Sequence, residues 1–440
     1  MLSPPARPFS FLPNDAMTSS FARRLVLFSL LPVALSGQTA ATRKPVLNHG
    51  FSPERLTRLD GFLQQYVDSN RIAGAVALVL RDGDVVYERA VGWADKESGR
   101  RMAPDAMFRI ASQTKALTTV AAMLLVEEGK LSLNNPVSQF IPAFAHTTVV
   151  VTNDSSRGMV PAKRQITIRD LLLHTAGISY GVDQVLAPLY AAKGLGPEAG
   201  FGWYTADKDE PICTTMERLA TLPFMRQPGE TWVYGYSTDV LGCVVERASG
   251  ASLDEFIRAR ITRPLGMVDT YFYVPTSHRQ RLVTVYASDT TNHLVRAPEG
   301  ARGQGHYVDG PHRSFSGGAG LVSTAHDYAR LLQMLLNGGE LNGVRLLSPK
   351  TVELMTTNQV GTLYSTTGQG FGFGFSIDEY VGADNTMMSA GTYGWGGAYG
   401  SQYRVDPREH IVFVFMLNQL PNRTDIAAKF PNVLYQALVK

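Results

Sequence analysis

The chain is poor in the residues and runs that several function classes require. Only two of its 440 residues are cysteine, so no disulfide framework can carry the fold. Cys243 follows Leu241-Gly242 in an apolar helical run and reads as a buried thiol, the alternative being a single bridge to Cys213. Neither His-Glu-x-x-His nor a paired Cys-x-x-Cys occurs, so no metal or other cofactor is indicated. The net charge of +3 is spread along the sequence without a Lys/Arg block, which excludes the footprint of a nucleic-acid binder. Nothing marks a protein partner. No apolar run reaches the length of a membrane-spanning helix. The run from Leu25 to Leu35, with Arg23-Arg24 before it and Ala34-Leu35-Ser36 at its end offering small residues for cleavage, reads instead as an export signal. Residues 1–40 are expected to be removed, with Met17 as a possible true start, leaving the protein in the periplasm or outside the cell.

What the chain does have is a serine and a lysine one helical turn apart, in Ser112-Gln113-Thr114-Lys115. Positions i and i+3 of a helix share a face, so Lys115 can reach the Ser112 hydroxyl. A serine needs an adjacent base to become a nucleophile. A lysine held in a cleft without a permanent carboxylate partner can be that base. A Ser-x-x-Lys match occurs by chance about once in a chain of this length, but this one opens a long apolar helix. The free N–H groups and dipole there favour developing negative charge.

A 44% hydrophobic, 18% charged composition is ordinary for a globular protein, and this length holds one large domain or two closely packed ones. Ser52-Pro53 caps an amphipathic helix expected to run to about Asp68. Segments 73–80 and 84–91 flank Arg81-Asp82-Gly83 and predict a β-hairpin. Segments 370–377, 401–405 and 410–416 read as three further strands, followed by a final helix from about Ala427. Strands at both ends of the chain predict one sheet with helices on its faces. The middle, rich in loops and helical patches, predicts a helical insertion. The expected layout is an α/β domain of residues 50–130 plus 310–440, interrupted by a mostly helical domain of residues 131–309 that lines the cleft.

Two further segments can complete a site around Ser112. Trp232-Val233-Tyr234-Gly235-Tyr236 enters a helix near Ser237, so Tyr234 lies on a loop that can present its phenol to a cleft. A tyrosine beside a lysine can relay protons; the plainer reading is packing. The run Gly391-Thr392-Tyr393-Gly394-Trp395-Gly396-Gly397-Ala398-Tyr399-Gly400 is either a turn or bulge, or a strand edge that a ligand approaches closely, lending an N–H to an oxyanion. A decoy is present as well. Gly177-Ile178-Ser179-Tyr180-Gly181 satisfies Gly-x-Ser-x-Gly, which works only on a tight strand-to-helix turn. Here a helical stretch precedes it, with Gly177 in the place of a C-cap and His174 closing the helix end.

In this order, the three pieces resemble the serine β-lactamase and penicillin-recognising family, in its class C-like branch with family VIII carboxylesterases and transesterases. Ile168–Gly177, Pro264–Met267 and Gly317–Ala325 add to the match, which runs from about residue 52 to 436. The resemblance implies a three-layer α/β fold, an antiparallel sheet flanked by helices. It implies Ser112 as the acylated nucleophile, Lys115 as its general base or proton partner and Tyr234 as proton shuttle. The oxyanion hole would be the N–H groups of Ser112 and Ala398. Two departures bear on substrate contact. Tyr236 stands where β-lactam- and peptide-cleaving members carry an Asn, and Trp395-Gly396-Gly397 stands where they carry Lys or His followed by Thr or Ser. An indole there favours an uncharged substrate. The expectation is a carboxylesterase or transesterase acting on short uncharged esters, with an acyl pocket built from Tyr190, Phe201, Trp203, Tyr204 and Tyr307. The alternatives are a class C-like β-lactamase or D-alanyl-D-alanine carboxypeptidase, and a non-catalytic cell-wall sensor of the same fold.

Overall fold

The first sheet strand, β1 (Gly74–Arg81), is buried on both faces, which a strand can be only in the middle of a layered sheet. Val76, Leu78 and Leu80 enter one core and Ala75, Ala77 and Val79 the other. The computed structural model describes residues 48–153, 156–197 and 207–440; the leader expected over 1–40, and Phe201, Trp203 and Tyr204, lie outside them. β2 (Asp84–Asp95) returns from β1 through Asp82 and Gly83, both at positive φ (53° and 87°), the geometry a two-residue hairpin turn demands. With β3 (Arg100–Arg101), β4 (Gln369–Phe371), β5 (Ser376–Asp378), β6 (Tyr393–Gly396), β7 (Gln402–Asp406) and β8 (Ile411–Met416) they form one eight-stranded sheet. Its order is β4-β5-β6-β7-β8-β1-β2-β3, antiparallel throughout. Among the described residues the first strand of the chain, β1, thus pairs with the last, β8.

Helices cover both faces, giving three layers. On one side lie α1 (Pro53–Asp68), capped by the Ser52 side chain, and the C-terminal α6 (Ile426–Tyr435). On the other lies α2 (Thr114–Glu127), in which every side chain from Thr114 to Leu125 is buried, the mark of a helix enclosed on all sides. Beside it are α3 (Ile168–Leu173), α4 (Ser237–Ser249) and α5 (Ala325–Leu336). Among the described residues no helix is long and apolar enough to cross a membrane.

Several local expectations change. Segment 370–377 is not one strand but the hairpin β4–β5, turned at Gly374 (φ 83°). The glycine run divides into the strand β6 and a turn in which Gly397 N–H donates to the Ser401 carbonyl (2.7 Å). Thr148–Asn153 and Ser156–Pro161 pair as a hairpin in a region read as helix and loop. Cys213 and Cys243 are not free thiols: they form a disulfide joining the helix Ile212–Leu219 to α4. Helical periodicity places each cysteine on a buried face, but which two faces meet is a tertiary matter that periodicity does not carry. The αL residue ending α3 is His174 (φ 56°), not Gly177. Gly177 serves close approach instead, since a side chain there would collide with the Arg226 carbonyl.

Candidate active site

The nucleophile segment is held in a strained turn. Phe108–Arg109 pairs with Val322–Ser323, and a 3₁₀ turn over Ala111–Gln113 then leads into α2. Ala111 sits at φ 42°, a region that costs a residue with a Cβ about 1–3 kcal/mol. Asn418 fixes the strand end by bonding both the Arg109 N–H (3.2 Å) and the Arg109 carbonyl (3.1 Å). This segment carries Ser112 to the N-terminal end of the buried helix.

Lys115, one turn on, is itself buried. Its Nζ donates to Ser112 Oγ at 3.2 Å, to the Tyr180 hydroxyl at 3.0 Å and to the Gly318 carbonyl at 2.8 Å. It also lies 4.6 Å from the Tyr234 ring centroid. All three acceptors are neutral oxygens, so the amine is oriented on the serine without a direct carboxylate partner. Tyr234 comes from the loop before α4, whose path is fixed by the Val233 N–H donating to the His174 carbonyl (2.8 Å). The His174 ring packs 4.9 Å from Tyr234. Complete burial, with Lys115 nearby, pushes the His174 pKa well below the usual range, so it stays neutral, its ring packed among Trp232, Tyr234 and Phe371. Trp395, on β6, donates its indole N–H to the Tyr234 oxygen at 3.1 Å.

Ser112, Tyr180, Tyr234, Trp395, Gly396 and Gly397 line one cleft of about 560 Å³, which Ala398 and Arg404 also border. The glycines have a reason here. A side chain on Gly397 would sit 2.6 Å from the Ile110 carbonyl oxygen, so its absence lets the end of β6 close on the nucleophile segment, and Ala398 borders the same cleft as Ser112. Ala398 also borders a second, mostly apolar lobe of about 410 Å³, lined by Ala111, Val285, Tyr307, Ala319, Leu420 and neighbours that include Arg302.

Two expected contacts move. Tyr236 does not line the cleft: it is buried behind Tyr180, edge to face at 4.8 Å, with its oxygen accepting from Gly196 N–H (2.9 Å). Tyr190 is buried deeper still, stacked on Tyr236, so of the expected aromatic acyl pocket Tyr307 alone borders a lobe among the described residues. Ser179 faces inward and accepts from Gly181 N–H (3.1 Å), which disposes of the Gly-x-Ser-x-Gly decoy.

Two residues were missed. Tyr180, one position past the decoy serine, binds Lys115 directly; its place in a short segment bounded by Gly177 and Gly181 was the available signal. Burial, ahead of its neighbours Tyr234, Asp239 and Tyr236, pushes its pKa well above the phenol range, so it stays protonated. Arg404 of β7 gives the cleft the cation that β6 lacks. Paired with Gly394, it runs across that residue, where a Cβ would meet its Cδ at 2.7 Å, and donates to the Trp395 and Tyr403 carbonyls. No sequence signal ties a β7 arginine to a β6 site. Among the described residues there is no cluster of His, Cys, Asp and Glu suited to a metal ion.

The arrangement suits acyl transfer through a serine, and its relatives agree. The Beta-lactamase family model matches residues 59–438. Esterase EstB of Burkholderia gladioli is 35% identical over 384 residues, 84% of this chain and 91% of that protein. A putative D-alanyl-D-alanine carboxypeptidase of Escherichia coli (strain K12) is 30% identical, covering 93% of this chain and 94% of the other. Among solved structures, EstCE1, described as a hydrolase with promiscuous acyltransferase activity, superposes with a TM-score of 0.72 at 30% identity, over 88% of this chain and 98% of its own. The chain belongs to the beta-lactamase family and is a serine hydrolase built on that fold.

Proposed function

We propose that the protein is a carboxylesterase or transesterase working through an acyl-enzyme on Ser112, and that its preferred acyl group is short and uncharged. Lys115 takes the Ser112 proton as the hydroxyl attacks the ester carbonyl. The N–H groups of Ser112 and Ala398 hold the oxyanion. Tyr234 passes a proton to the departing alkoxide, and the same groups run in reverse when water or an alcohol takes the acyl group. Because Tyr234 stands in the cleft with Trp395, the alcohol leaves on that side and the acyl chain extends into the apolar lobe beyond Ala398. The observation that carries this reading is the Lys115 Nζ to Ser112 Oγ contact of 3.2 Å, with neutral partners at the other Nζ bonds. Relatives named as an esterase and as a hydrolase with acyltransferase activity support it. Action outside the cytoplasm is part of the proposal, supported by the Cys213–Cys243 disulfide, a bond that persists in oxidising compartments.

The test is turnover of short p-nitrophenyl esters beside a chromogenic cephalosporin, with mass spectrometry of the trapped protein. Ester turnover with an acyl mass on the Ser112 peptide is expected. Ser112→Ala should abolish it, and Lys115→Ala and Tyr234→Phe should each cost at least about a hundredfold. Wild-type-like activity in any of the three removes the assignment. One observation favours a second reading as a D-alanyl-D-alanine carboxypeptidase: Arg404 borders the cleft beside Trp395 and offers a cation to a terminal carboxylate on the leaving group. Release of D-alanine from an acyl-D-alanyl-D-alanine peptide faster than ester hydrolysis decides for it. A stable Ser112 adduct without turnover marks a sensor.

A further inference from the structure

The amine of Lys115 is buried without touching a carboxylate, yet a fully buried carboxylate lies three hydrogen bonds away. Asp239, in the first turn of α4, has both flanks enclosed. Its Oδ1 accepts from Ser316 Oγ at 2.6 Å and from Gly318 N–H at 3.1 Å, while Oδ2 has no partner among the described residues. The bonds between the two charges run head to tail. Lys115 Nζ donates to the Gly318 carbonyl (2.8 Å). The N–H of the same peptide unit, that of Ala319, donates to Ser316 Oγ (3.2 Å), and Ser316 donates to Asp239. The preceding peptide is polarised the same way, with Thr118 Oγ1 donating to the Gly317 carbonyl (2.8 Å) and its Gly318 N–H donating to Asp239. Bonds aligned in this sense strengthen one another in a low-dielectric interior.

We propose that Asp239 is a positioning residue, the remote counter-charge of Lys115, acting on it through the Gly318–Ala319 peptide and the Ser316 hydroxyl. This rests on the acyl-enzyme reading above. The separation matters to the chemistry. A direct salt bridge would hold Nζ on the carboxylate and away from Ser112 Oγ, whereas a buried ammonium with no opposite charge is costly to form. The relay lets the positive charge that appears as Lys115 takes the serine proton be stabilised while Nζ stays on Oγ.

The surroundings leave these two as the charges that meet. Tyr180 and Tyr236, which both face Asp239, have their pKa values pushed far up, chiefly by burial, and remain phenols. His174, facing Lys115 from α3, is held neutral. The Tyr234 ring faces the amine at 4.6 Å, with the Trp395 indole N–H bonded to the Tyr234 oxygen. Burial also raises the Asp239 pKa, and Ser316, Lys115 and Gly318 N–H oppose that rise. The loop is built for the contact: a side chain on Gly318 would meet Asp239 Oδ2 at 2.3 Å.

The experiment is kcat and KM for a p-nitrophenyl ester across pH, for wild type, Asp239→Asn and Ser316→Ala. Asn keeps an oxygen to accept both bonds and removes only the charge. The expected Asp239→Asn enzyme has kcat lower by roughly tenfold or more, KM within about twofold, and an acid limb of kcat moved to lower pH by about one unit, the scale of one buried charge. Ser316→Ala should move the same way by less. A lower plateau with an unmoved acid limb is a structural lesion and overturns the proposal, as does a wild-type profile. Should Asp239→Asn not fold, Ser316→Ala decides by the same two readouts. Absence of a Ser112 adduct in the wild type defeats the acyl-enzyme reading itself, a result separable from any difference between variants.

Discussion

At the scale of single residues, the site depends on a backbone angle as much as on its functional groups. Ala111, immediately before the nucleophile, is held at φ 42°, a conformation open to glycine and closed to β-branched side chains. Ala111→Gly is therefore expected to keep the fold and the acylation rate, because the relief of strain offsets the added freedom of the unfolded chain. Ala111→Val should lower Tm by roughly several degrees and kcat by at least about tenfold, because valine can reach this angle only by displacing Ser112. Thermal melts and burst kinetics on both variants check this; a valine enzyme indistinguishable from wild type would show that the turn relaxes without moving the serine. The same scale explains what the sequence reading could see. Ser112, Lys115 and Tyr234 announce themselves by spacing or by the loop they occupy. Tyr180 does so only in part: Gly177 and Gly181 mark its segment, but nothing local says that its hydroxyl will meet a lysine 65 positions earlier. Tyr236 misleads for the converse reason: it is adjacent in sequence to the site but turned into the layer beneath.

At the scale of elements, local pattern was legible and pairing was not. The capped helix over Pro53–Asp68, the hairpin at Asp82-Gly83 and the apolar helix after Ser112 each follow from periodicity and turn chemistry within a dozen residues or so. The break of 370–377 into β4 and β5 was missed because alternating Phe and Gly fits a strand and a tight hairpin equally until the core claims Phe371, Phe373 and Phe375 together. Arg404 reaching the cleft needs the β6–β7 register, and the disulfide needs two helices to cross. That disulfide carries a prediction of its own. It closes a loop with a sequence separation of 30, which contains the Trp232–Tyr234 segment, and closing a loop of about that size restricts the unfolded chain by roughly 3–4 kcal/mol. The Cys213→Ser/Cys243→Ser enzyme should lose stability of that order in urea melts. Its kcat should fall further than that of a variant equally destabilised in the α1–α6 layer, because α4 anchors the end of the Tyr234 loop. Equal activity at equal stability would separate the bridge from the site.

At the scale of the whole molecule, the layers that bury the site also bury carboxyl groups, and these set how stability depends on pH. Asp327 lies in the first turn of α5, its Oδ2 accepting from Asp269 N–H (2.6 Å) and Thr270 Oγ1 (2.9 Å), which ties the 268–270 loop to the helix. Asp378 lies on β5 and accepts from Gln369 (3.2 Å). Burial is the largest influence on both and raises each pKa to about 6. In the unfolded chain the same groups titrate in the ordinary carboxylate range, near 4. The folded state thus holds its protons more tightly, and the associated stability is fully present below pH about 4 and is lost as pH rises through about 6. Asp327 is the cleaner probe, because Asp378 feels Arg404 and bonds Gln369, both of which border the cleft. Its rise corresponds to roughly 3 kcal/mol between acid and neutral pH. Asp327→Asn can still accept both bonds through its amide oxygen, yet no longer titrates. Wild type should therefore lose stability relative to Asp327→Asn between pH 4 and 7, most steeply at about pH 5, midway between the unfolded and folded pKa values, and level off above pH about 6. Urea midpoints for the pair across that range provide the measurement. A difference that stays flat with pH would mean that water or a conformational shift relieves the buried carboxylate, and that the α5 end of the molecule is less tightly closed than its hydrogen bonds imply.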